Sequence, residues 1–569
     1  MAYPKKILKI GTLPPVIYWA SAALLLFLPL FWINQVRFFS SDSLTYSNLL
    51  ALTSDAIRSG DFYSRWFAAA NNGLGNPTMM FNVPLAYIIT TFINLPLSPL
   101  HLGIGAQLVI GLYFSQVVSG YTAWLWLKRS FSSQVALAGS LLFIVLPYKL
   151  VYIYLNGNLA QLWALAFLPL WMMAAENMVS GNRRAIGQYA LVFALVYYTH
   201  TITIIAFGAI PGCYVLWFGR HQRPLACYAK LFLAHLLAIG LCLMQALPQR
   251  YYLGWIHADE FYTRFNWREN FGHIDVMLCS YYGIIAALVG YAIHALPVLH
   301  QQNTAKVSRF WIVVLCILFF MTQKASTLIW QHFAFLHYLQ FPAARLHSGA
   351  LIAIIYLICV WLGNYKDALP LAPAGYRRSS LAILIMLFGA ITINHIYKIF
   401  YKMDDDITPM LATFISDIRD SKIISAPEYM TRWDCIEPNK IVAQYRSHIT
   451  LPLIALEQGR AEFTVKDWHP PYHIVFTANV LTRQATFQLH QCYVPAWQAK
   501  DNTGHMIPVS PGKPLGLIEV TLPTGQHDIE IAMVATPVEY WSRWCTVLSA
   551  ILCLFLLGTQ ETRAVKNIA

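Results

Sequence analysis

Carboxylates are scarce over most of this chain. Residues 1–399 hold nine of them: Asp42, Asp55, Asp61, Glu176, Asp259, Glu260, Glu269, Asp275 and Asp367. Only 11% of the 569 residues are charged, against about 25% in soluble domains. The hydrophobic fraction is 57% and the mean hydropathy +0.50. A single water-soluble core also stops growing well below this length. These figures exclude a soluble enzyme and a disordered chain, and they read as a polytopic membrane protein. The net charge of +13 is not the footprint of a nucleic-acid binder. The bases of the first part sit in small clusters between apolar runs, which is the positive-inside pattern.

Other absences narrow the chemistry. There is no CxxC or HExxH motif and no GK[ST], so a structural zinc site and a P-loop are excluded. Eight of the ten cysteines lie in or beside apolar runs, as packing residues. Only Cys435 and Cys492 fall in a polar segment. In an oxidising compartment they would pair as a disulfide; otherwise they are two free thiols.

What is abundant is apolar sequence in stretches near the ~20 residues that a crossing helix needs. The first is Leu13–Ile33, after Lys5, Lys6 and Lys9. It lacks a small-x-small cleavage site, so it reads as a retained helix and not a signal peptide. Others lie near 104–127, 131–147, 160–178, 186–200, 201–219, 229–248, 276–297, 310–322, 346–363, 379–397 and 541–558. Placing the basic connections inside gives twelve spans with both termini cytoplasmic. Residues 186–219 also read as one long helix, and the Pro-bounded 83–97 as a re-entrant or thirteenth segment.

Three stretches then fall outside: loop 34–82, loop 249–275 and a polar segment of 400–540. Seven of the nine early acids lie in the first two. A carboxylate is costly at membrane depth but not at the mouth of a bundle. In the third, Phe463–Val465, Phe487–Leu489, Leu517–Leu522 and Ile529–Ile531 alternate apolar and polar residues between turns, predicting a small antiparallel β-sandwich or barrel. The expected fold is thus a polytopic α-helical membrane domain (1–399), an extracytoplasmic mostly-β domain (400–540), and a terminal transmembrane helix with a cytoplasmic tail (541–569). The setting is a bacterial cytoplasmic membrane.

Loop 34–82 is the richest in candidate chemistry. Asp42 precedes Ser43–Ser59, whose apolar spacing predicts an amphipathic helix on the membrane surface with Asp42 as its N-cap. Gly60-Asp61 and Arg65-Trp66 follow, then a tight turn rich in Gly and Asn over residues 71–77.

With those segments in view, the chain resembles the bacterial membrane family called 6-pyruvoyl-tetrahydropterin synthase-related. That family is similar to the YfhO-type proteins, and both are placed in the GT-C superfamily of glycosyltransferases. The resemblance rests on Asp42, Gly60-Asp61, Arg65-Trp66, Asn72-Gly73-x-Gly75-x-Pro77 and Phe81-x-x-Pro84. It continues through Leu146-Pro147-Tyr148-Lys149, Gly157-Asn158 to Gln161, and Leu168-Pro169-Leu170. Leu339–Arg345 matches a QFPxR-like motif, and Val494–Lys500 with Leu522–His527 matches a motif of the outer β-domain. Two positions depart from the pattern: Gln161 stands where the family often has an acid, and Asn156 where it has a base. No His triad with a catalytic cysteine supports pterin chemistry.

The resemblance implies transfer of a sugar from a polyprenyl-phosphate carrier to an envelope glycan or lipid. It implies that Asp42 acts as the base or holds a divalent metal, Mg or Mn. The leaving phosphate needs positive charge. Arg345 is the first candidate for it, the alternative being a snorkelling interfacial arginine. Lys149 and Arg65 follow, with Asp61 as a second carboxylate at the substrate. Asp259 and Glu260 read as solvated loop charges, and His200, His273 and His347 as hydrogen-bonded interface residues. A transporter or flippase of lipid-linked or envelope substrates is the alternative function, and a non-catalytic scaffold the third. Against transport, the apolar runs hold no paired charges and no clear internal repeat.

Overall fold

In a computed structural model of the protein, structure is described for residues 14–32, 41–71, 73–220, 224–258, 266–271, 302–364, 429–433, 453–469, 472–513 and 515–559. The N-terminal body is helical. In chain order it contains α1 (Pro15–Trp32), α2 (Ser41–Arg58), α3 (Thr78–Phe81), α4 (Leu85–Asn94), α5 (Ile104–Leu127), α6 (Ser133–Val145), α7 (Pro147–Leu150) and α8 (Leu159–Val179). Next come α9 (Ala185–Thr199), α10 (Thr201–Phe207), α11 (Ala209–Gly219), α12 (Pro224–Tyr252), α13 (Gln302–Met321), α14 (Thr327–His332) and α15 (Pro342–Asn364). The sheet domain follows, and α16 (Pro537–Gly558) comes last.

Among the described residues, five helical stretches are long and apolar enough to cross a membrane: 104–127, 159–179, 201–219, 224–255 and 537–558. Two bent pairs, 133–145 with 148–154 and 306–321 with 324–332, bring the number to seven. Shorter apolar helices lie at 15–27, 85–100, 185–199 and 348–360. Several apolar helices thus fit a multi-pass membrane protein. Two of the twelve expected spans, 276–297 and 379–397, lie outside the described residues. Only 11% of the last helix's apolar window is buried, so most of its surface, including Leu548, Leu554 and Phe555, is left for lipid.

Charge sorts by end, as the sequence suggests. Arg129 pairs with Glu176 at 2.8 Å, Lys230 Nζ donates to the Gly181 carbonyl at 3.0 Å, and Arg184 Nε donates to the Thr559 carbonyl at 2.6 Å. The basic connections thus gather where α16 ends. The 29-residue α12 starts at this end and covers about 43 Å at the rise of an α-helix. Its far end carries Tyr252, whose hydroxyl donates to Glu539 at 3.4 Å, near the start of α16 beside the sheet.

Among the described residues the sheet domain has seven antiparallel strands: β1 (Ile454–Gln458), β2 (Ala461–His469), β3 (His473–Cys492), β4 (Trp497–Asp501), β5 (Met506–Ile507), β6 (Val509–Gly512) and β7 (Leu517–Met533). They form one hydrogen-bonded sheet, where the sequence predicts a sandwich or barrel. The long strands β3 and β7 pair along most of their length, with an irregularity between Val480 and Gln484. On β3, β2 covers the first half and β1 the second. On β7, β6 pairs with the first part and β4 with the last. Residues 473–480 of β3 alternate in burial, as a strand with one wet face does, whereas 485–492 are buried on both faces. One face there packs the domain core around Phe476, Phe487 and Ile531, and the other meets the first loop. Burying each such aromatic or branched side chain stabilises by roughly 1.5–3 kcal/mol.

Three local expectations change. Helix α2 is not a surface helix: Ser43, Ser47, Asn48, Leu49, Leu50, Leu52, Thr53, Ser54 and Ile57 are all buried, and it packs on α4 and α5. Its polar residues are small enough to be enclosed, Thr53 Oγ1 without a hydrogen-bond partner among the described residues. It starts at Ser41, so Asp42 lies inside the first turn and is not the N-cap. The 186–219 segment is not one helix, because His200 adopts φ −161°, ψ 95° and breaks it. The 83–97 segment is a ten-residue α-helix continued by a 3₁₀ turn to Leu100.

Candidate functional site

Two groups of the candidate residues come together in different places. The first is a junction between the first long loop, the sheet and α16. Asp61 accepts a hydrogen bond from the Tyr472 hydroxyl at 2.8 Å, and the same hydroxyl oxygen accepts from the Arg65 backbone N–H at 2.9 Å. The Arg65 guanidinium forms an ion pair with Glu539. Glu539 also closes a capping box with Thr536 at the start of α16, which a Thr-x-x-Glu spacing favours. Trp66 Nε1 donates to Gln491 Oε1 at 2.7 Å, and the Gln491 amide donates to the Gly73 carbonyl at 2.6 Å. The Cys492 N–H donates to the Leu74 carbonyl at 2.7 Å, extending β3 onto the loop. The Trp66 ring meets Trp497 edge-on, with centroids 5.9 Å apart. Asp61 and Arg65 therefore hold the loop to the sheet domain, each with a protein partner.

The second group surrounds Arg345. After α7 the chain makes a π-type turn over Val151–Leu155. It reverses at Gly157, with φ +56°, a conformation that glycine adopts without strain. The Asn158 side chain then caps α8 by accepting from the Gln161 N–H at 2.9 Å. This sets Gln161 in the first turn of α8. Gln340, at φ +59°, makes a sharp reversal before Phe341-Pro342 and the start of α15. The Arg345 N–H donates to the Phe341 carbonyl at 2.9 Å, so Arg345 sits in the first turn of α15. The break at His200 supplies the third element.

Arg345 Nη1 donates to Gln161 Oε1 at 2.6 Å and lies 3.5 Å from His200 Nε2. A donor at Nε2 assigns the imidazole proton to Nδ1, which then donates to Thr203 Oγ1 at 2.8 Å. Gln161 and His200 are both buried. Among the described residues, no carboxylate pairs with Arg345. Among these residues its charge meets neutral side chains, and a guanidinium so placed keeps bidentate capacity for an anion.

Lys149 lies in α7, fully buried, between the two groups along the chain. Its ammonium donates to Ser119 Oγ at 2.9 Å and lies 3.8 Å from the centroid of the Phe143 ring. It too has no carboxylate partner among the described residues. Asp42 is placed by its backbone in the first turn of α2, while its side chain lies outside the described part. So do Cys435, Asp259 and Glu260; Cys492 is described, and is buried at the end of β3. Among the described residues, no three His, Cys, Asp or Glu side chains cluster as metal ligands.

Sequence reasoning assigned His200 no role and treated Gln161 only as a departure from a pattern. Glu539 was overlooked, although Thr536-x-x-Glu539 before an apolar run is a visible capping signature. No protein-family model matches the chain, and no curated protein does.

Proposed function

We propose that the protein is a membrane glycosyltransferase of the GT-C type. In this reading it moves a sugar from a polyprenyl-phosphate carrier to an envelope glycan or lipid acceptor at the outer face of a bacterial cytoplasmic membrane. The observation that carries it is Arg345, a cation held by Gln161 and His200 with no carboxylate partner among the described residues. Such a group suits the phosphate of a lipid carrier.

The acceptor hydroxyl oxygen attacks the anomeric carbon, and the bond from that carbon to the phosphate oxygen breaks. The electron pair leaves on the phosphate, where Arg345 offsets the added negative charge. The hydroxyl proton passes to the Asp42 carboxylate. A divalent cation, Mg or Mn, would share Asp42 if the reaction uses one. Lys149 lies along the same segment as a second basic side chain. The sheet domain, read as extracytoplasmic, steadies the loop that follows α2 through the Asp61–Tyr472 and Trp66–Gln491 contacts.

The test compares envelope glycans and lipids by mass spectrometry between a deletion strain and strains complemented with wild type, Arg345→Ala or Asp42→Asn. The expected result is a hexose or deoxysugar mass restored by wild type alone. Restoration by the Asp42→Asn chain at wild-type level removes Asp42 from the chemistry, and restoration by Arg345→Ala overturns the reading.

A further inference from the structure

A cleft opens where the first loop, α12 and α16 meet. It is a shallow recess with room inside for little more than one water molecule, and it is lined by Tyr63, Arg65, Met79, Met244, Gln245 and Arg543, among others. Its inner wall is fully partnered. Gln245 Nε2 donates to the Met79 and Met80 carbonyls at 3.2 and 3.1 Å, and Gln245 Oε1 accepts from the Tyr63 hydroxyl. Arg65 is consumed by Glu539.

Arg543 is different. It stands four residues after Glu539 on α16, the spacing at which a helical Glu normally pairs with a base. Glu539 is already engaged by Arg65, Tyr252 and the Thr536 cap. Arg543 is therefore exposed at the mouth of the cleft with no partner among the described residues. Its field reaches into the cleft, where it opposes the upward push of burial on the Tyr63 phenol. With one carboxylate against two guanidiniums, the cleft carries net positive charge.

The cleft also sits at a definite depth. Tyr540, Trp541 and Trp544 surround Arg543 along the helix and are 52%, 66% and 50% exposed. Aromatic residues at the end of a lipid-facing helix mark the headgroup level of a bilayer. Beyond them the helix turns Leu548, Ile551 and Leu552 outward, a surface for acyl chains. Headgroup depth, an apolar wall below it and an uncompensated cation above it describe one kind of ligand.

We infer that the phosphate of an anionic phospholipid rests at the mouth of this recess, with Arg543 as its cation and the α16 aromatics beside the glycerol backbone. The site lies at the junction and not at Arg345, so it does not depend on the glycosyltransferase reading. Lipid bound there braces the contact between the first loop, α12 and the last helix.

The test is native mass spectrometry of the full chain in a neutral detergent with added phosphatidylglycerol or phosphatidylcholine. Wild type should retain phosphatidylglycerol about tenfold more tightly, the scale of one charge-assisted phosphate contact. Arg543→Gln should abolish that preference at an unchanged melting temperature, because the side chain holds no hydrogen bond or ion pair among the described residues. Arg460→Gln, which removes an exposed charge from the sheet domain, should leave it intact. A preference that survives Arg543→Gln, or that is absent from wild type, overturns the inference. Displacement of the bound lipid by millimolar glycerol phosphate shows a site for free phosphate esters and overturns the lipid assignment.

Discussion

Arg65 in the first long loop and Glu539 in the first turn of the last helix form an ion pair across 474 residues of sequence. The two side chains are 12% and 2% exposed, so neither charge is well solvated. Arg65→Met leaves a buried carboxylate without its counter-charge, at an expected cost of about 3 kcal/mol. Arg65→Met combined with Glu539→Met removes both charges and should cost clearly less than the sum of the single changes. Thermal unfolding of the four proteins in one detergent closes the double-mutant cycle. Strict additivity would show that the pair contributes no coupling.

The turn beside that pair depends on a residue without a side chain. Gly75 has φ +82°, and a Cβ built there would lie 2.4 Å from Cζ2 of the Trp66 indole. Trp66 is fully buried and cannot swing away without leaving Gln491 and Trp497. Gly75→Ala combines positive-φ strain with a clash, and the expected loss is about 2–4 kcal/mol. Gly73→Ala has the same sign of φ but open space around the built Cβ, so only the strain of about 1–2 kcal/mol applies. Equal melting temperatures for the two variants would refute this reading of the Trp66 contact.

These junction residues show where the sequence could be read and where it could not. Asp61, Arg65-Trp66 and the Gly-Asn turn stood out at once, and the strands around Phe487 and Ile529–Ile531 were visible from their alternation. The role of Asp61 and Arg65 was not visible. Their partners, Tyr472 and Glu539, lie more than 400 residues away, and no local pattern encodes that docking. Helix α2 misled for another reason. Its Ser, Asn and Thr residues read as a wet face, yet side chains this small fit between packed helices, where Thr53 Oγ1 is buried even without a hydrogen-bond partner among the described residues. The apolar runs 186–200 and 201–219 meet at the His200 break, which carries no Gly or Pro, so one long helix also fitted there, and the buried histidine at the break went unassigned.

Tyr472 supplies a pH dependence with a definite sign. Burial first, and then the Asp61 carboxylate, push its phenol up to about 12. An unfolded tyrosine titrates near 10. Between roughly pH 10 and 12 the unfolded chain has released a proton that the folded chain keeps, so stability falls as pH rises through this window. Below pH 10 the contribution is fully present. Tyr472→Phe lowers stability at pH 8 by losing the bonds to Asp61 and Arg65, but its alkaline decline should be shallower by one proton's worth. Unfolding midpoints measured from pH 8 to 12 on both proteins check it, and parallel curves would remove Tyr472 as the titrating group.

The sharpest test of the Arg345 centre is to change its partner and leave the arginine alone. Gln161 Oε1 lies 2.6 Å from Arg345 Nη1, so Gln161→Glu places a carboxylate in the same position with hardly any change in shape. If Arg345 only ties α15 to α8, the substitution converts a hydrogen bond from a cation to a neutral amide into an ion pair, and nothing else is lost. If Arg345 holds a substrate phosphate, the new carboxylate neutralises the cation and repels the ligand. The expected outcome is a melting temperature equal to or above wild type, with sugar transfer reduced by at least about tenfold, a barrier rise near 1.4 kcal/mol. Arg345→Lys keeps the charge but loses the planar fork, and should fall between wild type and Arg345→Ala. Full transfer by Gln161→Glu would assign Arg345 a purely structural role, because a guanidinium so neutralised offers little attraction to a departing phosphate.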